Sequence, residues 1–180
     1  MSEIVLLGLN HKTATIELRE CIAFSPDQTA AALVYLKNEP VVSEVLLFST
    51  CNRVEVLLVP DQITEAVDTA KRLIARFNQI ALSEFENVLY IHTGDQAVRQ
   101  IFRVAASLDS MVVGEPQILG QINQAYRLAT QHRTAGVVLN SLFHRAFFVA
   151  NRIRSETGIG GHAVSISYAA IELGRKIFGS

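Results

Sequence analysis

The 180 residues carry 16 Lys and Arg against 17 Asp and Glu and are 49% hydrophobic, which suits one globular domain, or one domain and part of a second, with an ample core. A formal net charge of -1 excludes recognition of nucleic acid or anionic membrane by overall charge and leaves any such contact to a local patch. The apolar runs are short and no basic segment precedes a long apolar one, so neither a membrane span nor a signal peptide is read, and a cytoplasmic protein is expected.

The stretch IVLLGLN, Ile4 to Asn10, reads as a buried strand that runs into a loop, HKTATIELRE. Ser25 before Pro26 offers an N-cap with proline at the first helical position, and Pro40 ends that helix near Asn38. VSEVLLF and VEVLLV read as two strands joined by STCNR. Ile63, Ala66, Val67, Ala70, Leu73, Ile74 and Phe77 share one helical face, and NVLYIH is a fourth strand. Strand, helix, strand, strand, helix, strand is the order of a ferredoxin-like split βαβ unit. The predicted fold class is therefore α+β, an antiparallel sheet backed by helices and followed by a helical segment.

After His92 the pattern turns helical. Thr93 and Gln96 suggest a capping box, and Ala97, Val98, Ile101, Phe102, Ala105 and Leu108 form one stripe that ends near Asp109. Pro116 opens the next helix, with Ile118, Leu119, Ile122, Ala125, Tyr126 and Ala129 on a common face. Gly120 inside it costs about 1 kcal/mol relative to alanine, which points to close approach by another helix or a substrate. A third helix spans Val137 to Glu156, GIGG breaks the chain at Gly158 to Gly161, and a last amphipathic helix carries Val164, Tyr168, Ile171 and Ile177.

Cys21 and Cys51 lie far apart without Cys-x-x-Cys or His-x-x-x-His spacing, which argues against a structural disulfide and leaves no metal site. On local grounds Cys51 is either a nucleophile or a small apolar filler. Its place between two strands puts it at the rim of a sheet, and Arg53 beside it would favour a thiolate or take a carboxylate in a two-pronged bond. Cys21 reads as packing. His11 and His92 sit at strand ends, suited to acid-base work, whereas His132 and His144 read as structural or surface residues. GIGGHA follows a helix and lacks the full dinucleotide-loop spacing, so no cofactor site is read here. Arg145, Arg152 and Arg154 read as a solvated basic strip.

GLNHKTA (Gly8 to Ala14), STCNRVE (Ser49 to Glu55), LDSMVVGEPQILGQ (Leu108 to Gln121) and VSISYAAIEL (Val164 to Leu173), in this order and spacing, closely resemble glutamyl-tRNA reductase. The resemblance spans that family's N-terminal catalytic domain, residues 1–157, and the start of its connecting helix, residues 158–180. The family's NADPH-binding and dimerisation domains are not in this sequence. What it implies is attack of a cysteine thiolate on glutamyl-tRNA, release of the tRNA, and NADPH-dependent reduction of the thioester to glutamate-1-semialdehyde, the first step of tetrapyrrole biosynthesis. It further implies a homodimer formed through the absent domain and handover of the aldehyde to an aminomutase. By motif, Cys51 is the nucleophile, and Thr50, Asn52, Arg53, Ser110, Glu115, Pro116, Gln117 and Gln121 bind substrate. Arg53 is assigned the side-chain carboxylate and Glu115 the α-ammonium. Without the cofactor domain this chain is expected to be acylation-competent and to hydrolyse the thioester slowly as an esterase.

The chain departs from the family at two places. Gln100 stands where the family carries an active-site histidine, and Ala106 and Ser107 replace a serine and a glycine. Glutamine does not transfer protons near neutral pH. Either Gln100 positions groups by hydrogen bonds or another residue, His92, substitutes; the alternative function is a catalytically impaired module that binds tRNA or a partner.

Overall fold

The computed structural model describes residues 3–160 and 166–178. Its strands are β1 (Val5–Asn10), β2 (Val42–Ser49), β3 (Arg53–Pro60) and β4 (Tyr90–Thr93). Its helices are α1 (Ile16–Cys21), α2 (Pro26–Lys37), α3 (Ile63–Asn78), α4 (Gly94–Ala105), α5 (Gln117–Gln131), α6 (Val137–Glu156) and α7 (Ile166–Phe178). The strands form one antiparallel sheet in the order β2-β3-β1-β4. With α2 crossing from β1 to β2 and α3 from β3 to β4, this is the ferredoxin-like arrangement expected.

The continuous apolar runs follow from burial on both faces. Every residue of β1 and β3 is buried, which an alternating half-exposed strand cannot achieve. Leu6, Leu46 and Leu57 share one face and meet Ile101, Val104, Ile122 and Phe143 of α4, α5 and α6. On the opposite face α2 packs on β2, and α3 on β1 and β3. Edge strand β2 is kept from pairing outward: the Val45 amide donates to the Thr134 carbonyl at 2.9 Å.

Local signals held at the second helix. The Ser25 hydroxyl accepts from the Gln28 amide and the Gln28 side chain accepts from the Ser25 amide, a full capping box with Pro26 in the first turn. Elsewhere tertiary structure overrode them. HKTATIELRE is a loop only as far as Thr15, whose side chain caps the short α1, and Cys21 at the end of that helix is exposed, not packed. No side-chain cap forms at Thr93. The fourth strand begins at Tyr90 because Glu86–Val88 takes a 3-10 turn. α4 stops at Ala105, so Leu108 leaves the stripe and is exposed. Gly120 meets no protein atom where a side chain would stand, so no helix approaches it. Arg145 and Arg152 are exposed, but Arg154 is half-buried and donates to the Glu115 carbonyl at 3.2 Å. Gly161, His162 and Val164 lie outside the described residues, and the exposed Ile171 and Ile177 belong to α7.

Glu44 joins the sheet to the late helices. Its buried carboxylate accepts from the amides of Gly136 (2.9 Å), Val138 (3.0 Å) and Leu139 (2.8 Å), filling the N-terminal donors of α6 with a negative charge. Gly136 is required there, since a Cβ would stand 2.6 Å from the Glu44 carboxylate. Glu44→Ala orphans three donors at once and is expected to lower stability by roughly 2–4 kcal/mol in urea denaturation. A loss below about 1 kcal/mol would mean that water replaces the carboxylate.

Candidate active site

Three chain segments converge at one end of the sheet because β1 and β2 end there and β3 begins there. Asn10 pairs with Arg53, and Ser49 with Val54. Between β2 and β3 the chain turns through Cys51 and Asn52: the Thr50 amide donates to the Arg53 carbonyl at 2.8 Å, and the Asn52 amide to the Thr50 hydroxyl at 3.2 Å. Thr50 thereby shapes the turn, and Cys51 stands exposed at its tip. The turn after β1 is shaped by Asn10, whose side-chain oxygen accepts from the Lys12 amide at 2.9 Å. The two turns are tied together by the His11 amide, which donates to the Asn52 carbonyl at 3.0 Å.

Beside Thr50 lies a cleft of about 240 Å³ between the start of α2 and the face of α5, lined by Phe24, Thr29, Phe48, Ser49, Thr50 and Gln121 among others. Of the predicted substrate residues, Thr50 and Gln121 line it; Ser49 is an addition that the sequence did not single out. Ser110 and Glu115 are buried in the segment that joins α4 to α5, and Pro116 and Gln117 are exposed at its end.

Beneath the turn is a buried charge cluster that pattern reading missed. The Arg53 side chain is 1% exposed and donates to Glu55 Oε1 at 2.8 Å, to the Asp109 carbonyl, and to Asp109 Oδ2 at 3.4 Å. Its charge is therefore matched from within the protein, not left free beside Cys51. Lys12 donates to Asp109 Oδ1, and the Tyr90 hydroxyl to Glu55 Oε1. Gly8 makes the last contact possible: it pairs with both Glu55 and Tyr90 across β1, and a Cβ there would meet the Val54 carbonyl at 2.5 Å and Glu55 Cγ at 2.8 Å. A usable signal was present in RVE, where two charges two residues apart share one face of an otherwise apolar strand.

Gln100 Nε2 donates to Asp109 Oδ2 at 2.7 Å, so the amide at the family's histidine position orients the carboxylate of the cluster. His92 is not brought to the turn. It pairs with Leu6, four residues back along β1 from Asn10, roughly 13 Å along the strand, and stacks on Tyr90 at 5.2 Å. Ser107 explains the other departure. It adopts φ 60°, the left-handed region that favours the family's glycine, and its hydroxyl donates to the Glu115 carbonyl at 2.8 Å, a bond glycine lacks.

Burial by itself would raise the Asp109 carboxyl, but the hydrogen bonds from Lys12 and Gln100 and the charge of Arg53 hold it down at about 2, against an ordinary 3.8. The folded state thus prefers the ionised form more than the unfolded chain does, and the stabilisation is complete above about pH 4 and lost as pH falls through 2. Allowing for the half-exposed Lys12, acid titration of stability should show a step of about 2 kcal/mol that Asp109→Asn removes. His11 is lowered too, but toward its neutral form: partial burial first, then the charges of Arg53 and Lys12, bring it below 6.5 and favour the neutral ring at pH 7. Its Nδ1 is buried without a hydrogen-bond partner.

Among the described residues no three His, Cys, Asp or Glu side chains gather to hold a metal, and no helix is long and apolar enough to cross a membrane. Among the described residues the antiparallel sheet has no crevice between parallel strands and no glycine-rich turn leads from a strand into a helix, so these residues do not fit a nicotinamide dinucleotide.

The family model described as the N-terminal domain of glutamyl-tRNAGlu reductase matches residues 7–157. The glutamyl-tRNA reductase of Desulfatibacillum aliphaticivorans is 54% identical over 177 residues, 98% of this chain and 41% of that protein. The corresponding protein of Geobacter metallireducens is 49% identical over the same share of each. The solved glutamyl-tRNA reductase from Methanopyrus kandleri is similar with a TM-score of 0.77 at 34% identity, over 100% of this chain and 41% of that one. This chain spans 41% of the length of those relatives and, matched by the family model from residue 7 to residue 157, belongs to the family of glutamyl-tRNA reductase N-terminal domains.

Proposed function

We propose that this chain accepts the glutamyl group of glutamyl-tRNA onto Cys51. The observation that carries the reading is an exposed thiol fixed at the tip of the β2–β3 turn, next to a cleft lined by Thr50 and Gln121. The Cys51 thiol gives up its proton, the sulfur attacks the ester carbonyl, and the bond to the terminal ribose oxygen breaks, leaving a thioester and tRNA with a free hydroxyl. His11, neutral and tied to the turn through Asn52, is the histidine at hand to take that proton and return it to the leaving oxygen. Gln100 serves by holding Asp109. Arg53 reaches the side-chain carboxylate of the substrate by exchanging its 3.4 Å contact with Asp109.

NADPH-dependent reduction of the thioester to glutamate-1-semialdehyde, as the entry to tetrapyrrole biosynthesis in the cytoplasm, is proposed for the whole protein; NADPH would supply the hydride, and none of the described residues is built to hold it. Residues 1–157 form the catalytic unit, and the glycine turn at Gly158–Gly160 starts the connection onward. A module that only binds tRNA would have no use for an exposed thiol at the tip of a tightly bonded turn.

Intact-protein mass spectrometry after mixing with glutamyl-tRNA tests the reading. One glutamyl adduct, cleared by hydroxylamine, is expected. Unmodified protein with the ester unconsumed overturns it.

A further inference from the structure

Two arginines are buried among the described residues, and they are opposites. Arg53 has two carboxylates within 3.4 Å. Arg19, on α1, is 7% exposed, its Nε is buried without a hydrogen-bond partner, and no acidic group among the described residues lies within ion-pair distance. Its neighbour on the helix, Glu17, is fully exposed; its carboxyl is lowered first by its own backbone amide, then by Thr15, and only last by Arg19. A buried guanidinium without an anion is costly, and proteins keep one where an anion arrives from outside.

The place of α1 shows where that anion comes from. The chain enters α1 from the turn that His11 ties to Asn52, and it leaves toward Phe24, whose amide donates to the Ser49 hydroxyl at 3.0 Å. Ser49 ends β2 and Asn52 lies in the turn, one on each side of Cys51, so the segment that carries α1 is tied to the cysteine turn at both ends, and Arg19 is the last and smallest of the charges that act on His11. We propose that Arg19 forms an oxyanion subsite beside the Cys51 turn that takes the phosphodiester of the terminal nucleotide of the tRNA. This deepens, and rests on, the reading of glutamyl-tRNA as substrate: the anions nearest the scissile ester are that phosphodiester and the side-chain carboxylate, and the latter is assigned to Arg53. A guanidinium meets either oxyanion through paired donors.

The subsite is tested without any chemistry at Cys51. Melting of the wild-type chain and of Arg19→Gln is followed by circular dichroism in inorganic phosphate, in glutamate and in chloride at constant ionic strength. Phosphate stabilises most proteins by exclusion from their surface, so the difference between the two proteins is what is read. The wild type is expected to gain several degrees more than Arg19→Gln at saturating phosphate. In chloride Arg19→Gln should melt no lower than the wild type, since it sheds an unpaired buried charge. A gain with glutamate but not phosphate still supports an oxyanion subsite and moves the carboxylate role to Arg19. Equal gains in the two proteins, or an Arg19→Gln that melts lower in chloride, overturn it. Arg19→Lys, which keeps the charge without the fork, should recover part of the phosphate gain. If the wild type shows that gain yet takes no glutamyl adduct, the acylation reading fails and the subsite stands.

Discussion

Cys51→Ser should take the glutamyl group from glutamyl-tRNA at least about 10³-fold more slowly than the wild type. Sulfur is intrinsically the stronger nucleophile and the more readily ionised group, whereas a serine hydroxyl supplies almost no alkoxide. The exchange conserves size, and Cys51 is exposed at a turn whose hydrogen bonds run through backbone groups and the Thr50 side chain, so folding should be untouched. Intact-mass kinetics with matched melting curves check both halves. An adduct forming on the serine protein at the wild-type rate would place the nucleophile elsewhere. Cys21 then becomes the control, since it is exposed as well, and Cys21→Ser is expected to acylate normally.

Arg53→Ala should be the most damaging single change to stability, at about 3–5 kcal/mol, or roughly 10 °C in melting temperature. The alanine removes no favourable apolar contact of comparable size. What it does is leave Glu55, 2% exposed, and Asp109, 5% exposed, facing each other without the cation between them. A loss under about 1 kcal/mol would show that Lys12 and Tyr90 carry the cluster alone. Because an unfolded variant says nothing about recognition, Arg53→Lys is the companion. It keeps one charge but not the fork, and if Arg53 meets the substrate carboxylate it should lower the preference for glutamyl over glutaminyl esters while melting within a few degrees of the wild type. Unchanged preference in a folded Arg53→Lys removes that role.

The cluster also shows how the departures from the family pattern are absorbed. Gln100 cannot titrate, yet its amide makes the bond to Asp109 that orients the carboxylate. Ser107 sits where the backbone asks for glycine and recovers part of the cost through its hydroxyl. Each side chain makes a hydrogen bond within the site: Gln100 to the Asp109 carboxylate, and Ser107 to the Glu115 carbonyl from a strained backbone position.

Most of the fold was legible in the chain itself, because period and punctuation are local. The largely apolar runs of β1 and β3 announced buried strands, and Ser25-Pro26 announced a helix start. STCNR announced its turn and its thiol. What pattern could not reach were contacts between residues far apart in sequence. Arg53 read as a free fork from its neighbours alone; only the pairing of β1 with β3 and β4, and the return of the segment after α4, put Glu55, Tyr90 and Asp109 around it. His92 looked equivalent to His11 as a strand-end histidine until the register set it four residues from the rim. Arg19 carried no signal in a segment read as loop, and its meaning depends wholly on burial. Sequence determined which elements form, since hydrophobic period, caps and breakers act within a few residues, whereas charge pairing and solvent exclusion are properties of the assembled surfaces, and the tertiary structure alone decided that Arg53 is paired with Glu55 and Asp109 while Arg19 is buried with no acidic partner among the described residues.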